Sequence, residues 1–259
     1  MAAIIPIPAF SDNYIWILRE AGNAVVVDPG DAAPVLDYLD REGLELTAII
    51  NTHHHGDHVG GNEALLARRN VPVFGPARER IPGRTSGLIE GDEIDVPGIG
   101  MSFRVLDVPG HTAGHIAYVG EHEDTGPIAL VGDTLFACGC GRLFEGTAQQ
   151  MSHSLGKLAA LDPHSSMYCA HEYTVSNLRF ALAADPGNAR VQARMEREQA
   201  RRSRGEPTVP SRLSDELQTN PFLRAGEPAL MASASAQAGH PVRDAIESFA
   251  ALRAWKDRF

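Results

Sequence analysis

The segment Thr52-His53-His54-His55-Gly56-Asp57-His58 sets four histidines and a carboxylate within seven residues. Imidazole and carboxylate are good ligands for zinc, iron and manganese. On a tight loop, His53 and His55, two residues apart, can face one centre. Asp57 and His58 can face a second centre beside it. Two histidines and a carboxylate do not finish a dinuclear site, so further donors are needed. Three others share one sequence context, each close behind a short apolar run: His111 in Val108-Pro109-Gly110-His111-Thr112, Asp133 in Val131-Gly132-Asp133-Thr134, and His171 in Met167-Tyr168-Cys169-Ala170-His171. The repetition of that context is stronger evidence for a metal centre than any one motif.

Donors so far apart in sequence need a frame that gathers strand ends. The donor loop follows Thr47–Asn51, a strand-like run, and precedes a helix start at Gly60-Gly61-Asn62. That is where α/β sheets place their chemistry. Strand-like runs recur at Ala3–Ile7, Tyr14–Leu18, Ala24–Val27, Ser102–Val108, Ile116–Val119 and Ile128–Val131, bounded by Gly, Pro, Asp or Asn. Helical spacing marks Pro34–Arg41, Asn62–Arg69 and Ser152–Leu161. This mixture predicts an α/β sandwich. After about residue 173 the strand-like runs vanish. Asn177–Ala184 and Ala189–Arg204 read as helices, a Gly/Pro-containing stretch follows, and a last helix covers Val242–Lys256. The expected domains are therefore 1–172 and 173–259.

The 259 residues suffice for one large domain with a smaller companion. With 43% hydrophobic and 22% charged residues, wholesale disorder and a fibrous fold are excluded. The net charge is −10, split as −13 over residues 1–172 and +3 over 173–259. An acidic body with a mildly basic tail argues against nucleic acid as a partner and permits a local basic pocket for a small anion. Cys138, Cys140 and Cys169 form no disulfide framework and suit a reducing cytoplasm. No run approaches the ~20 apolar residues of a membrane span, and Met1–Phe10 lacks the features of a secretory signal. A monomer is the default expectation.

The donor loop resembles that of the metallo-β-lactamase superfamily, whose fold is an αββα sandwich with metals at one sheet edge. Other segments narrow the resemblance to the glyoxalase II (hydroxyacylglutathione hydrolase) family: Ser11-Asp12-Asn13-Tyr14, Gly139 to Thr147, His171-Glu172-Tyr173-Thr174, Thr219-Asn220-Pro221-Phe222-Leu223-Arg224 and Arg253-Ala254-Trp255-Lys256-Asp257. The resemblance implies an α/β fold: an αββα metallo-β-lactamase-like sandwich followed by a small α-helical C-terminal domain that completes a glutathione pocket. It implies His53, His55 and His111 on a first metal, Asp57, His58 and His171 on a second, and Asp133 bridging both. Asp57 and Asp133 would thus serve catalysis as well as ligation. The expected cofactors are two divalent ions, zinc before iron or manganese, with a water nucleophile between them. Two carboxylates and a hydroxide offset three of the four positive charges, leaving one to hold a developing oxyanion. Zinc brings the pKa of bound water to about 7.

The implied reaction is hydrolysis of S-(2-hydroxyacyl)glutathione thioesters, chiefly S-D-lactoylglutathione, to glutathione and D-lactate, the second step of methylglyoxal detoxification. A thiolate departs without a strong general acid. No G-x-S-x-G nucleophile elbow is present, and a metal hydroxide makes one unnecessary. Rival readings are a glutathione persulfide dioxygenase using one iron and oxygen, or another hydrolase of the fold such as a lactonase. A complete second ligand set and the extended C-terminal domain favour the thioesterase.

Arg253 and Lys256, three apart on the last helix, share a face. The resemblance implies that they bind the glycine carboxylate end of glutathione and that Tyr173 hydrogen-bonds its backbone. Arg142 and Phe144 stand where some family members have Lys and Tyr. The Arg keeps the charge with a different geometry, and the Phe lacks the hydroxyl. His54 is expected to point away from its neighbours. Asp28 and His115 stand open between orienting a ligand and simple turn or packing roles. His122, His153, His164 and His240 are expected on the surface, and Cys138 and Cys140 in packing. Arg190, Arg194, Arg197, Arg201 and Arg204 are expected on a solvated helix face.

Overall fold

A computed structural model describes residues 3–259, so the first two residues of the expected N-terminal domain lie outside it. The chain packs into two compact units. One runs to Asp107 and includes Thr112–Gly132; the other is Val108–His111 together with Asp133–Phe259.

In the first unit, β1 (Ala3–Ala9), β2 (Asn13–Glu20) and β3 (Asn23–Val27) form an antiparallel meander. Helix α1 (Ala32–Glu42) then crosses over, and β4 (Glu45–Ile50) pairs parallel to β3. Asp31 caps α1 by accepting from the Ala33 N–H at 2.9 Å, and Gly43 ends it in the left-handed region at φ +65°. After α2 (Gly56–Val59) and α3 (Asn62–Arg68), β5 (Val73–Pro76) and β6 (Ser86–Leu88) extend the parallel side. Ile15, Ile17 and Val26 pack against Val35 and Leu39 of α1 and Leu65 of α3. Trp16, Leu18, Val25 and Val27, on the other face, are equally buried. Burial on both faces is why β2 and β3 read as continuous apolar runs, and each such aliphatic side chain contributes about 1.5–3 kcal/mol.

A second, antiparallel sheet follows: β7 (Glu93–Val96), β8 (Met101–Asp107), β9 (Ile116–His122) and β10 (Gly126–Gly132). In β8 the buried Met101, Phe103 and Val105 alternate with exposed Ser102 and Arg104. On β9, the buried Tyr118 donates its hydroxyl to the Asn51 carbonyl at 2.9 Å, joining this sheet to the end of β4.

The second unit opens with a tight hairpin, β11 (Leu135–Phe136) and β12 (Gly139–Cys140). Helix α4 (Ala148–Ala159) starts at a capping box between Thr147 and Gln150. Strand β13 (Ser166–Cys169) precedes α5 (Thr174–Ala184) and α6 (Ala189–Ser203), and pairs with β14 (Ser211–Arg212). Then come α7 (Leu213–Thr219), α8 (Pro228–Ala238) and α9 (Ala245–Lys256). No helix among the described residues is long and apolar enough to cross a membrane.

The apolar runs expected as strands and the stretches expected as helices take those forms, with ends moved by a few residues. The Gly/Pro-containing stretch after α6, to which the sequence pattern assigns no element, is occupied by β14, α7 and α8. Helix α8 is rich in Ala and Ser, so it shows no apolar stripe, although Pro228 at its first turn and Gly239 after its end are sound boundary signals.

Candidate metal centre

In the first unit the donor loop leaves β4 and is braced by one carboxylate. Asp28 sits in a left-handed backbone conformation, φ +51°, which aims its side chain at the loop. Its Oδ1 accepts the Thr52 N–H at 2.8 Å, and its Oδ2 accepts the Thr52 hydroxyl at 2.7 Å. Asp28 Oδ2 also lies 3.1 Å from His58 Nδ1. A carboxylate on the Nδ1 side of the ring favours a proton there and leaves Nε2 as the metal-facing nitrogen. The Thr52 hydroxyl has one proton, directed to Asp28, so at His53 Nδ1, 3.1 Å away, it accepts. That orients His53 in the same sense. Of the two roles open for Asp28, the geometry supports the orienting one.

His53 Nε2 and His55 Nδ1 face each other at 3.1 Å, and His58 Nε2 lies 3.6 Å from Asp57 Oδ2. Asn13, on β2, donates its amide to Asp57 Oδ2 at 3.0 Å. Asn51 Nδ2 holds the His58 carbonyl at 2.9 Å. His115 is buried and stacks on His53, centroids 4.6 Å apart at 20°, so it packs against a donor. His54 pairs with Glu79 Oε2 at 2.9 Å, but its ring also stands edge-on to His55, centroids 5.2 Å apart, so it does not point away from its neighbours as expected. Glu79 Oε1 also accepts the Gly114 N–H at 2.9 Å, so one buried carboxylate ties the donor loop to the turn before β9.

In the second unit, Asp133 Oδ2 lies 3.4 Å from His111 Nε2 and 3.4 Å from His171 Nε2. All three residues are buried. His111 Nδ1 lies 2.9 Å from the Arg142 carbonyl, which can only accept, so Nε2 again carries the lone pair. The His171 ring stacks on Tyr173, centroids 4.8 Å apart at 5°, and meets the edge of Phe136 at 5.8 Å. Phe144 sets its ring against His111 at 5.3 Å while remaining 62% exposed.

The donor set suits divalent metal. Ligands about 2.0–2.1 Å from a tetrahedral ion stand about 3.3 Å apart, and the donor pairs inside the two units are separated by 3.1–3.6 Å. A carboxylate at 3.4 Å is too far for a strong charge-assisted bond to an imidazole, but well placed to share an ion with one.

The expected substrate-side residues in the second unit are not alike. Arg142 is exposed, its Nε 3.7 Å from Asp257 Oδ1. Lys256 lies 3.5 Å from the Ser176 hydroxyl, and burial, then the charges of Arg253 and Arg142, push its ammonium pKa down. Arg253 is only 5% exposed. It donates to the Cys140 carbonyl at 2.8 Å and to Asp257 Oδ1 at 3.0 Å, with its guanidinium over the Phe222 ring.

Two surface expectations are corrected. His122 is buried, with Nδ1 accepting the Asp124 N–H at 3.2 Å, because β9 extends beyond the apolar run that marked it. Arg194 leaves the solvated face of α6, pairing with Glu216 Oε1 at 2.5 Å inside the helical core. Sequence reasoning also missed Asn51, Glu79 and Glu216, whose partners lie at separations no local pattern signals. Asn13 and Asn220 stand in family-like segments, but nothing local assigned their roles.

The family model described as metallo-beta-lactamase superfamily matches residues 9–171, and that described as hydroxyacylglutathione hydrolase C-terminus matches residues 172–259. Two curated proteins named hydroxyacylglutathione hydrolase, from Cupriavidus taiwanensis and Alkalilimnicola ehrlichii, are 54% and 55% identical over the whole of both chains. Among solved structures, ETHE1 from Myxococcus xanthus is similar in fold, with a TM-score of 0.65 at 22% identity over 99% of each chain.

Proposed function

We propose that this chain, which belongs to the metallo-beta-lactamase superfamily and to its hydroxyacylglutathione hydrolases, cleaves S-(2-hydroxyacyl)glutathione thioesters, chiefly S-D-lactoylglutathione. The products are glutathione and D-lactate. The observation that carries the reading is Asp133 Oδ2 facing two imidazole nitrogens at 3.4 Å, in a chain like hydroxyacylglutathione hydrolases over its full length.

His53, His55 and His111 would hold one divalent ion, Asp57, His58 and His171 a second, and Asp133 would contribute to both. The assignment rests on the family and on the donor geometry inside each unit. Zinc is our assignment for both ions. When bound, such ions supply Lewis acidity and lower the pKa of water enough for hydroxide to exist at neutral pH. The chain's own residues do the rest. Thr52 and the Arg142 carbonyl hold imidazole protons on Nδ1, so His53 and His111 present their Nε2 lone pairs, while Asp28 sets a carboxylate 3.1 Å from His58 Nδ1. Asp57 and Asp133 supply the negative charge that keeps cations in a buried place. Tyr173, Arg142, Arg253 and Lys256 bind the glutathione moiety, the cations offsetting its carboxylates in an acidic protein. The leaving thiolate needs no general acid. Free, buried cysteines suit a reducing cytoplasm.

The test is loss of the thioester absorbance of S-D-lactoylglutathione on addition of metal-loaded protein. Rapid loss that stops with chelator is expected. No loss with both ions bound would overturn the reading, and oxygen uptake with glutathione persulfide would then favour the dioxygenase.

A further inference from the structure

The hairpin that follows Asp133 touches each donor of the second unit. Asp133 begins it, and the carbonyl of Arg142 at its far end accepts from His111 Nδ1 at 2.9 Å. Phe136, on its first strand, meets the edge of His171 at 5.8 Å. The turn closes tightly on Asp133: a Cβ at Gly141 would fall 2.0 Å from the Asp133 carbonyl oxygen. A shift of this hairpin would therefore displace all three donors together.

Two short strands cannot hold such a hairpin by themselves. Its apex is also in an unfavourable conformation, with Cys138 in the left-handed region at φ +57°. Buried polar side chains from several elements hold it: Asn177 of α5 donates to the Ala137 carbonyl at 3.1 Å, Arg253 of α9 to the Cys140 carbonyl at 2.8 Å, and a brace from α7 and the residue after it reaches both strands and the apex. Glu216, 0% exposed, accepts the Cys138 N–H on Oε2 at 2.7 Å. Asn220, also 0% exposed, donates to the Phe136 and Gly139 carbonyls at 3.3 and 2.9 Å and to Glu216 Oε2 at 3.0 Å. Arg194 of α6 neutralises Glu216 through Oε1 at 2.5 Å and reaches the Thr219 hydroxyl at 2.6 Å. A buried ion pair adds little net stability over an apolar pair of the same volume. Its use here is directional: it holds a charged acceptor against one backbone N–H of the hairpin.

We propose that Glu216 and Asn220 are positioning residues for the metal centre, setting Asp133, His111 and His171 through the 133–142 hairpin. Neither touches substrate or metal. The proposal rests on the metal assignment above and gives the C-terminal helices a second task beside binding glutathione: they hold the donors' frame.

The experiment compares Glu216→Gln, Asn220→Ala and a control, Leu230→Ala, on full-length protein. Leu230 is fully buried on α8 and makes none of the brace's hydrogen bonds, so its loss destabilises the helical part while Glu216 and Asn220 keep theirs. Removing partners that orient metal ligands costs about 10–100-fold in metal affinity or activity. For Glu216→Gln and Asn220→Ala we expect faster loss of metal to a chelator and a changed visible spectrum of the cobalt-substituted protein. A fall in kcat of about tenfold or more with little change in KM should accompany them. Leu230→Ala should lower Tm and leave the spectrum and kcat as in the wild type. Should Glu216→Gln strand Arg194 and fail to fold, Asn220→Ala, which keeps that ion pair, decides. Wild-type spectra and kcat in the folded variants would overturn the proposal, as would equal effects in Leu230→Ala. The cobalt spectrum reads the brace even if glutathione thioesters prove not to be the substrate, so the two readings fail separately.

Discussion

Asp133 Oδ2 stands 3.4 Å from two imidazole nitrogens, and one of its neighbours, His111, is held by a backbone carbonyl that cannot move without the chain. In its proposed bridging role Asp133 needs both its geometry and its charge. Asp133→Asn keeps the shape and removes the charge, so bound metal should fall below two ions per chain and kcat by roughly 100-fold or more. Elemental analysis with single-turnover rates would check this; full metal content with a normal rate would remove Asp133 from the bridge. Asp28 acts one step further out. Asp28→Asn leaves every ligand in place but weakens the hold on His58 and Thr52. Metal affinity should drop about 10–100-fold, while kcat recovers at saturating metal. Competition with a coloured chelator separates the two variants.

The elements that carry these residues differ in how far the sequence reveals them. Strands β2, β3, β4, β8, β9 and β10 are legible because their apolar residues are dense or alternate, and Gly, Pro or Asp end them. The positions of the proposed donors are legible for the same reason: Asp133 directly follows β10, and His171 lies two residues beyond β13. The braces are not. Asn13 reaches Asp57 across 44 residues, and Glu216 reaches Cys138 across 78, and no local spacing encodes such distances. Arg194 shows the consequence: a periodic arginine row on α6 reads as solvated until Glu216, brought in by α7, draws one member inside. Helix α9 divides its two cations in the same way. Arg253 is buried and bonded to the Cys140 carbonyl, whereas Lys256 is only partly buried. Lys256→Ala should chiefly raise KM for glutathione thioesters and leave Tm nearly unchanged. Arg253→Ala should raise KM and also cost about 1.5–3 kcal/mol of stability, since a charged hydrogen bond to a buried carbonyl is lost. Urea unfolding beside steady-state kinetics would check the split; identical effects of the two substitutions would contradict it.

At the scale of the molecule, an acidic chain without disulfides keeps its thiols inside. Burial pushes the Cys138 thiol up from 9.0 to about 12 and that of Cys140 to about 11, the latter despite the Arg253 charge beside it. At pH 8 about one part in a thousand or less of either is thiolate, so neither should be alkylated in the native protein, and both should react once it unfolds. The same shifts set an alkaline limit on folding. In the unfolded chain these thiols lose their protons near their ordinary values, while in the folded chain they keep them. Between about pH 9 and the folded values, the unfolded state binds fewer protons, so unfolding becomes easier as pH rises. Each thiol removes at most about 1.4 kcal/mol per pH unit across its window. Cys138→Ala takes one of them away. It also leaves a small cavity among Leu178, Ala181 and Val191, lowering stability at every pH. The informative quantity is therefore the slope: between pH 9 and 10.5 the urea midpoint of Cys138→Ala should fall less steeply than that of the wild type. Parallel slopes would mean that the Cys138 proton is not what the folded state retains.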